Sequence, residues 1–85
     1  ANDETLILRM KGVRHIDTTG LLTLEGVIEH RQRRRRRTIL TALDPSLTRV
    51  LERFGIIALV GVENVFAATR DAIASVPPVQ VDRGA

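Results

Sequence analysis

Four consecutive residues near the start of the chain combine an acid, two hydroxyls and a glycine: Asp17, Thr18, Thr19 and Gly20. They lie between a short apolar segment and an amphipathic one, where a strand is expected to give way to a helix. An Asp or Thr at a helix N-terminus accepts hydrogen bonds from free backbone N–H groups. The same N–H groups and the helix dipole favour a phosphate, so a hydroxyl there is also a candidate phosphorylation site. A structural cap and a regulatory site are both open interpretations.

The two histidines, His15 and His30, are the other side chains that could do acid–base chemistry. In an extended segment His15 and Asp17 point to the same side, so a His–Asp pair is conceivable. However, the chain has no Cys, and its Ser and Thr residues are better explained as caps. Neither a cluster of metal ligands nor a glycine-rich phosphate loop is visible. The sequence therefore predicts a protein that is not an enzyme, with no cofactor and no metal site.

Five consecutive arginines form the most concentrated charge in the sequence: Arg33, Arg34, Arg35, Arg36 and Arg37. Six of the 13 basic residues lie between positions 31 and 37, so the remainder, with seven basic and ten acidic residues, is mildly acidic. The run is interpreted either as a solvated helix end, where cations complement the dipole, or as a contact with an anionic membrane surface. Specific nucleic-acid binding is not expected, because aromatic residues for base stacking are nearly absent.

A strand and a helix position these residues. Residues 5–10 read as a buried strand, since an uninterrupted Leu-Ile-Leu is expected where both faces of a sheet are covered. A helix then begins near Thr18 or Thr19 and runs toward the arginines. Its apolar residues are Leu21, Leu22, Leu24, Val27 and Ile28. The spacings 21/24/28 and 24/27/28 predict one helical stripe.

A second strand and helix follow. Residues 38–43 predict the strand, and the helix has Asp44 as its N-cap, Pro45 at its first position and Gly55 as its stop. The apolar stripe of this helix consists of Leu47, Val50, Leu51 and Phe54.

The last third of the chain is less clearly patterned. Residues 56–67 are ambiguous between strand and loop, with a short strand expected over 65–67. A last helix begins near Thr69, whose hydroxyl is expected to cap it, and Pro77-Pro78 end it.

The alternation of strand and helix predicts an α/β fold with a parallel or mixed sheet and right-handed crossovers. With 85 residues the chain forms one domain. Residues 1–4 and 77–85 are expected to be flexible ends.

Four segments in register resemble the STAS domain family, which includes domains of SulP-type anion transporters and anti-sigma-factor antagonists. They are "LILRM" followed by "IDTTGLLTLE", then "TILTALDP", "VLERFGI" and "GVENVFAATRDAI". The residues of the first and last segments are more similar to those of the SulP branch. The resemblance implies a small mixed, mostly parallel sheet with helices packed mainly on one face. It covers roughly residues 5–76 and lacks the family's N-terminal strands, which implies a partial domain whose exposed sheet edge invites oligomerisation.

The resemblance also implies a regulatory, non-catalytic function. The favoured hypothesis is the cytoplasmic STAS domain of a sulfate or related anion transporter, at the inner face of the membrane. Its partner would be the transporter's membrane domain or another regulatory protein, bound through Asp17, Thr18, Thr19, Gly20 and Leu21. The alternative is a free antagonist that binds an anti-sigma-factor kinase and is phosphorylated at Thr18, the position that the family's phosphorylated hydroxyl occupies.

Overall fold

A central parallel strand organises the chain. In the computed structural model, which describes residues 5–76, three strands lie side by side in the order β1-β2-β3. The strands are β1 (Leu6–Arg9), β2 (Thr38–Thr41) and β3 (Val65–Phe66). The helices are α1 (Thr18–Arg33), α2 (Pro45–Arg53), α3 (Ile56–Val60) and α4 (Thr69–Ala74), and a 3-10 turn covers Val62–Asn64. The predicted flexible ends and the predicted stop at Pro77-Pro78 lie outside the described residues.

One face of the sheet carries most of the helices. Leu8 pairs with Leu40 and Leu40 with Val65, so these three side chains share that face. They pack against the buried residues of α1, α2 and α3, which are Leu21, Ile28, Leu47, Leu51, Ile56 and Val60. Burial of each such side chain stabilises the fold by roughly 1.5–3 kcal/mol. Right-handed crossovers between successive neighbouring strands put their helices on this same side.

The short helix α4 covers the opposite face. Along β2, Ile39 and Thr41 point away from the face that Leu40 occupies. The hydroxyl of Thr41 is hydrogen-bonded to that of Thr69 at 2.9 Å, and Ala72 of α4 is fully buried. The predicted α/β fold, with helices mainly on one face, is therefore confirmed. Among residues 5–76 the strands pair only in parallel.

Helix α1 begins where the sequence indicates but uses a narrower apolar face than predicted. Leu21 and Ile28 are buried and Leu24 is half-buried. The predicted stripe also included Val27, and this part of the prediction is wrong, because the side chain is exposed. Leu22, which lies outside both predicted spacings, is exposed as well.

The predicted bounds of α2 are close to those observed. Asp44 is the N-cap and accepts a hydrogen bond from the Ser46 backbone N–H at 3.0 Å, and Pro45 occupies the first turn. Gly55 ends the segment with φ +76°, a conformation that favours glycine. Leu47 and Leu51 are buried, whereas Phe54, which was predicted to be apolar core, is exposed.

Two predictions for the last third need correction. Residues 56–60, whose sequence is ambiguous between strand and loop, form the helix α3 after Gly55. An all-apolar run of five residues has no periodicity that separates a buried helix from a buried strand. Thr69 does begin α4, but its hydroxyl bonds Thr41 across the sheet and no side chain caps this helix. The predicted strand near 65 is present as β3.

Two glycines of α1 give a matched test of the helix. A Cβ at Gly26 would meet no atom within 4 Å, whereas one at Gly20 would lie 2.8 Å from Cγ1 of Ile16. Gly26→Ala is expected to raise the free energy of unfolding by about 0.5–1 kcal/mol, because glycine loses more backbone entropy in a helix. Gly20→Ala is expected to lower it, because Ile16 must move. Urea unfolding followed by circular dichroism measures both, and a lower stability of Gly26→Ala would contradict this account of the helix.

Candidate functional site

The residues 17–20, hereafter the DTTG corner, form the turn into α1 and its first residues. The Asp17 carboxylate accepts a hydrogen bond from the Gly20 backbone N–H at 2.8 Å, and the Asp17 carbonyl accepts one from the Leu21 N–H at 2.9 Å. Asp17 is therefore the N-cap, one of the two candidates that the sequence offered. The side chains of Asp17, Thr18 and Thr19 are exposed. The carboxylate thus has a structural role while the two hydroxyls remain accessible.

Leu21 does not belong to the exposed part of this corner. Its side chain is only 3% exposed and packs in the core. The prediction that Leu21 contacts a partner at the surface is therefore wrong. The accessible apolar residue beside the corner is Leu22, which is 58% exposed. It lies four residues after Thr18 and three after Thr19, on the same side of α1.

The outer face of α1 continues from the corner without cover. Leu22, Gly26 and Val27 are exposed along it, and the space above Gly26 is open. An apolar side chain such as Leu22 would be removed from water by another chain that covered this face. Leu22 is not among the contact residues predicted from the sequence, although both predicted spacings, 21/24/28 and 24/27/28, leave it off the apolar stripe.

Asp44 lies at the same edge of the sheet as the DTTG corner, because it follows the carboxyl end of β2 as the corner follows that of β1. Its carboxylate accepts hydrogen bonds from both the hydroxyl and the backbone N–H of Ser46. Chiefly these bonds, with a smaller contribution from the positive charge of Arg14, hold the pKa of Asp44 below its usual value. Asp44 is therefore an ionised cap rather than a proton donor.

The structure places the two histidines at opposite ends of α1. His15 and His30 are both exposed, His15 before α1 and His30 in its last turns. Between residues 5 and 76, no group of three or more His, Asp or Glu side chains could hold a metal ion.

The arginine run divides into two parts. Arg33, Arg34 and Arg35 are exposed and Arg36 is half-buried; residues 33–36 are hereafter the arginine cluster. Arg37, by contrast, donates from Nε to Oδ1 of Asn64 at 2.7 Å and from Nη1 to the Ser75 carbonyl at 3.5 Å. Arg37 therefore ties the start of β2 to the 3-10 turn and to the end of α4, and it is not a freely solvated cation.

The DTTG corner and the arginine cluster lie at opposite ends of α1. The helix has 16 residues, and at 1.5 Å per residue it is about 24 Å long. Because of this separation the two candidate surfaces are distinct, and one partner can occupy either without covering the other. The arginine end of α1 is attached to α3, because the side chain of Gln32 donates a hydrogen bond to the Leu59 carbonyl.

Comparison with known proteins identifies the family. The sequence profile of the STAS domain matches residues 1–72, and the chain belongs to this family. The chain is similar to a sulfate transporter family protein from Wolinella succinogenes, with 35% identity and a TM-score of 0.79 over 84% of this chain and 58% of that one. It is also similar to the STAS domain of a SulP transporter from Vibrio cholerae, with 32% identity and a TM-score of 0.78 over 84% of this chain and 56% of that one. No curated protein sequence matches the chain.

Two facts bound what these similarities mean. The chain spans somewhat more than half the length of each of the two solved structures. In residues 5–76, none of the helices combines the length and the apolar character that crossing a membrane requires.

Arg37 and Arg34 are expected to differ in their contribution to stability. Arg37→Met is expected to lower the free energy of unfolding by about 1 kcal/mol or more, because Asn64 and the Ser75 carbonyl lose a charged donor. Arg34→Met, which removes an exposed arginine of the same run, is expected to change it by less than about 0.5 kcal/mol. Urea unfolding of both variants checks the division, and equal effects would contradict it.

Proposed function

We propose that the chain is the regulatory STAS domain of a SulP-type anion transporter and that it acts by binding rather than by catalysis. The supporting observation is its similarity, at about a third identity, to a SulP transporter STAS domain and to a sulfate transporter family protein. In this proposal the domain lies at the cytoplasmic face of the membrane. Transport itself is carried out by a membrane portion of the same protein.

The contact surface in this proposal is the DTTG corner together with the outer face of α1. The corner offers the exposed hydroxyls of Thr18 and Thr19, and Leu22 adds apolar area next to them. A partner that covers Leu22 removes its side chain from water, which favours the bound state, and the hydroxyls fix the orientation by hydrogen bonds. The domain would thereby favour one conformation of the membrane domain over another.

Fractionation of the native gene product tests the transporter assignment. An antibody against this chain is expected to detect a large protein in the integral-membrane fraction on an immunoblot. A small band in the soluble fraction only would contradict the proposal and favour the free antagonist. The control is a known peripheral protein, which alkaline carbonate washing must remove from the same membranes.

The contact surface has its own matched test. Leu22→Ser is expected to change the rate of anion uptake by the whole transporter severalfold, because the variant loses apolar contact with the partner. Ile73→Ser is the control, since Ile73 on α4 is 60% exposed against 58% for Leu22. Both variants should be equally stable and equally abundant in the membrane. Equal effects of the two on uptake would contradict the assignment of the surface to α1.

The alternative function is a free antagonist controlled by phosphorylation. Thr18 favours it, because this exposed hydroxyl lies on the first residue of α1, where a phosphate would meet free N–H groups. The neighbouring Asp17 carboxylate opposes the added charge of about −1.5 to −2. This alternative requires ATP-dependent mass gain with a cognate kinase and its loss in Thr18→Ala, and an unmodified wild type would rule it out.

The free edge of β1 supports a further part of the proposal, self-association. Among the described residues β1 pairs only with β2. The backbone N–H of Leu6 donates to the carbonyl of Arg37, just before β2, and that of Met10 donates to the carbonyl of Thr41 at its end. The N–H groups of Ile7 and Arg9 therefore point to the open side of the sheet, where another strand can pair. A light-scattering mass that remains monomeric at all concentrations would contradict it.

A further inference from the structure

The end of α1 contains an arginine in a backbone conformation that favours glycine. The N–H of Arg36 donates to the Arg31 carbonyl and that of Arg35 to the Gln32 carbonyl, both at 2.9 Å. This pair of bonds is the Schellman arrangement, in which the residue at the position of Arg35 takes a left-handed conformation and is usually glycine. Arg35 has φ +58°. The chain therefore keeps a positive charge at a position where glycine would be more stable.

The charges of the arginine cluster are not neutralised within the described fold. Between residues 5 and 76, no carboxylate forms an ion pair with Arg33, Arg34, Arg35 or Arg36. The 3-10 turn Val62–Asn64, which Arg37 joins through Asn64, carries Glu63, whose carboxylate lies over Gly61. The exposed Glu29 lies one helical turn before Arg33, at the border of the cluster. Residues 33–36 themselves carry only positive charge, which attracts a polyanion.

An exposed apolar side chain lies at the same end of the domain. The bond from Arg37 to Asn64 joins the 3-10 turn to the segment that follows the cluster. Val62, in that turn, is 73% exposed. Arginines and an exposed apolar side chain at one end of a domain match a lipid interface, where the charges meet headgroups and the apolar group meets the acyl boundary.

We propose that the arginine cluster and Val62 form a surface that binds anionic lipid membranes. A lipid surface fits better than a nucleic acid for two reasons. The chain has only two Phe and no Tyr or Trp on which bases could stack. The cluster also occupies the end of a helix and the following turn, which is not an element that enters a DNA groove. This proposal goes beyond the regulatory function and does not depend on it.

The two surfaces can be occupied together, because they lie at opposite ends of a helix of about 24 Å. In this proposal α1 lies along the membrane plane, so that lipid headgroups contact the arginine cluster while the transporter's membrane domain contacts the DTTG corner.

Vesicle sedimentation with the 85-residue chain tests the proposal. The chain is expected to bind vesicles of phosphatidylserine and phosphatidylcholine, to bind phosphatidylcholine vesicles far more weakly, and to lose affinity as salt rises. Replacing Arg33, Arg34 and Arg35 by Gln is expected to weaken binding on the order of 100-fold. Equal binding to the two kinds of vesicle by the wild type would overturn the proposal.

A charge-matched control separates this surface from net charge. Replacing the exposed Arg49, Arg53 and Arg70 by Gln also lowers the formal net charge from +3 to 0. This variant is expected to retain most of the binding. A loss as large as that of the cluster variant would overturn the proposal, and so would stronger binding to double-stranded DNA than to the vesicles at equal phosphate concentration.

A single substitution separates charge from folding. Arg35→Gly is expected to raise the folding equilibrium constant about two- to fivefold, because it removes the left-handed strain, yet to weaken vesicle binding about fivefold. Ala42→Gly is the control, since Ala42 also has φ +58° and carries no charge. It should leave vesicle binding unchanged. An Arg35→Gly variant that binds vesicles as well as the wild type would overturn the assignment of this arginine to the surface.

Discussion

The burial of β2 on both faces is the constraint on which the rest of the structure depends. All four of its residues are buried, including the two hydroxyl-bearing ones at its ends. Each hydroxyl needs a hydrogen-bond partner in that environment. Arg31 of α1 supplies one to Thr38 at 2.9 Å, and Thr69 of α4 supplies the other to Thr41. These two polar contacts attach helices to opposite faces of the same strand, while the apolar residues between them complete the core.

Parallel pairing then determines where function can lie. The carboxyl ends of β1 and β2 lead to the N-termini of α1 and α2, where Asp17 and Asp44 act as caps. At the opposite edge, the arginine cluster precedes the amino end of β2, and the 3-10 turn precedes the amino end of β3. The exposed hydroxyls of Thr18 and Thr19 thus lie at one edge of the sheet and the arginine cluster at the other. A single domain of this size can therefore present two chemically different surfaces without a second core.

Much of this organisation was predictable, because it rests on local signals. The Asp-Pro start of α2, the glycine at its end and the apolar run of β2 each act within a few residues. The helix α3 was not predictable, since its five apolar residues carry no periodicity. The different roles of Arg34 and Arg37 could not be predicted either. The two side chains are chemically identical and belong to the same run, and they differ in that Arg37 contacts Asn64 and the Ser75 carbonyl, 27 and 38 residues along the chain.

The carbonyl of Arg37 has a role that concerns motion. It accepts hydrogen bonds from the Leu6 N–H at 3.0 Å and from Nη2 of Arg31 at 2.8 Å. The first backbone bond between β1 and β2 is therefore made at the residue where the arginine segment ends. Local opening of that segment and fraying of the sheet become one cooperative event, because both break bonds to the same oxygen. The amide hydrogen of Leu6 consequently reports by its exchange rate on whether the far end of α1 is free or held.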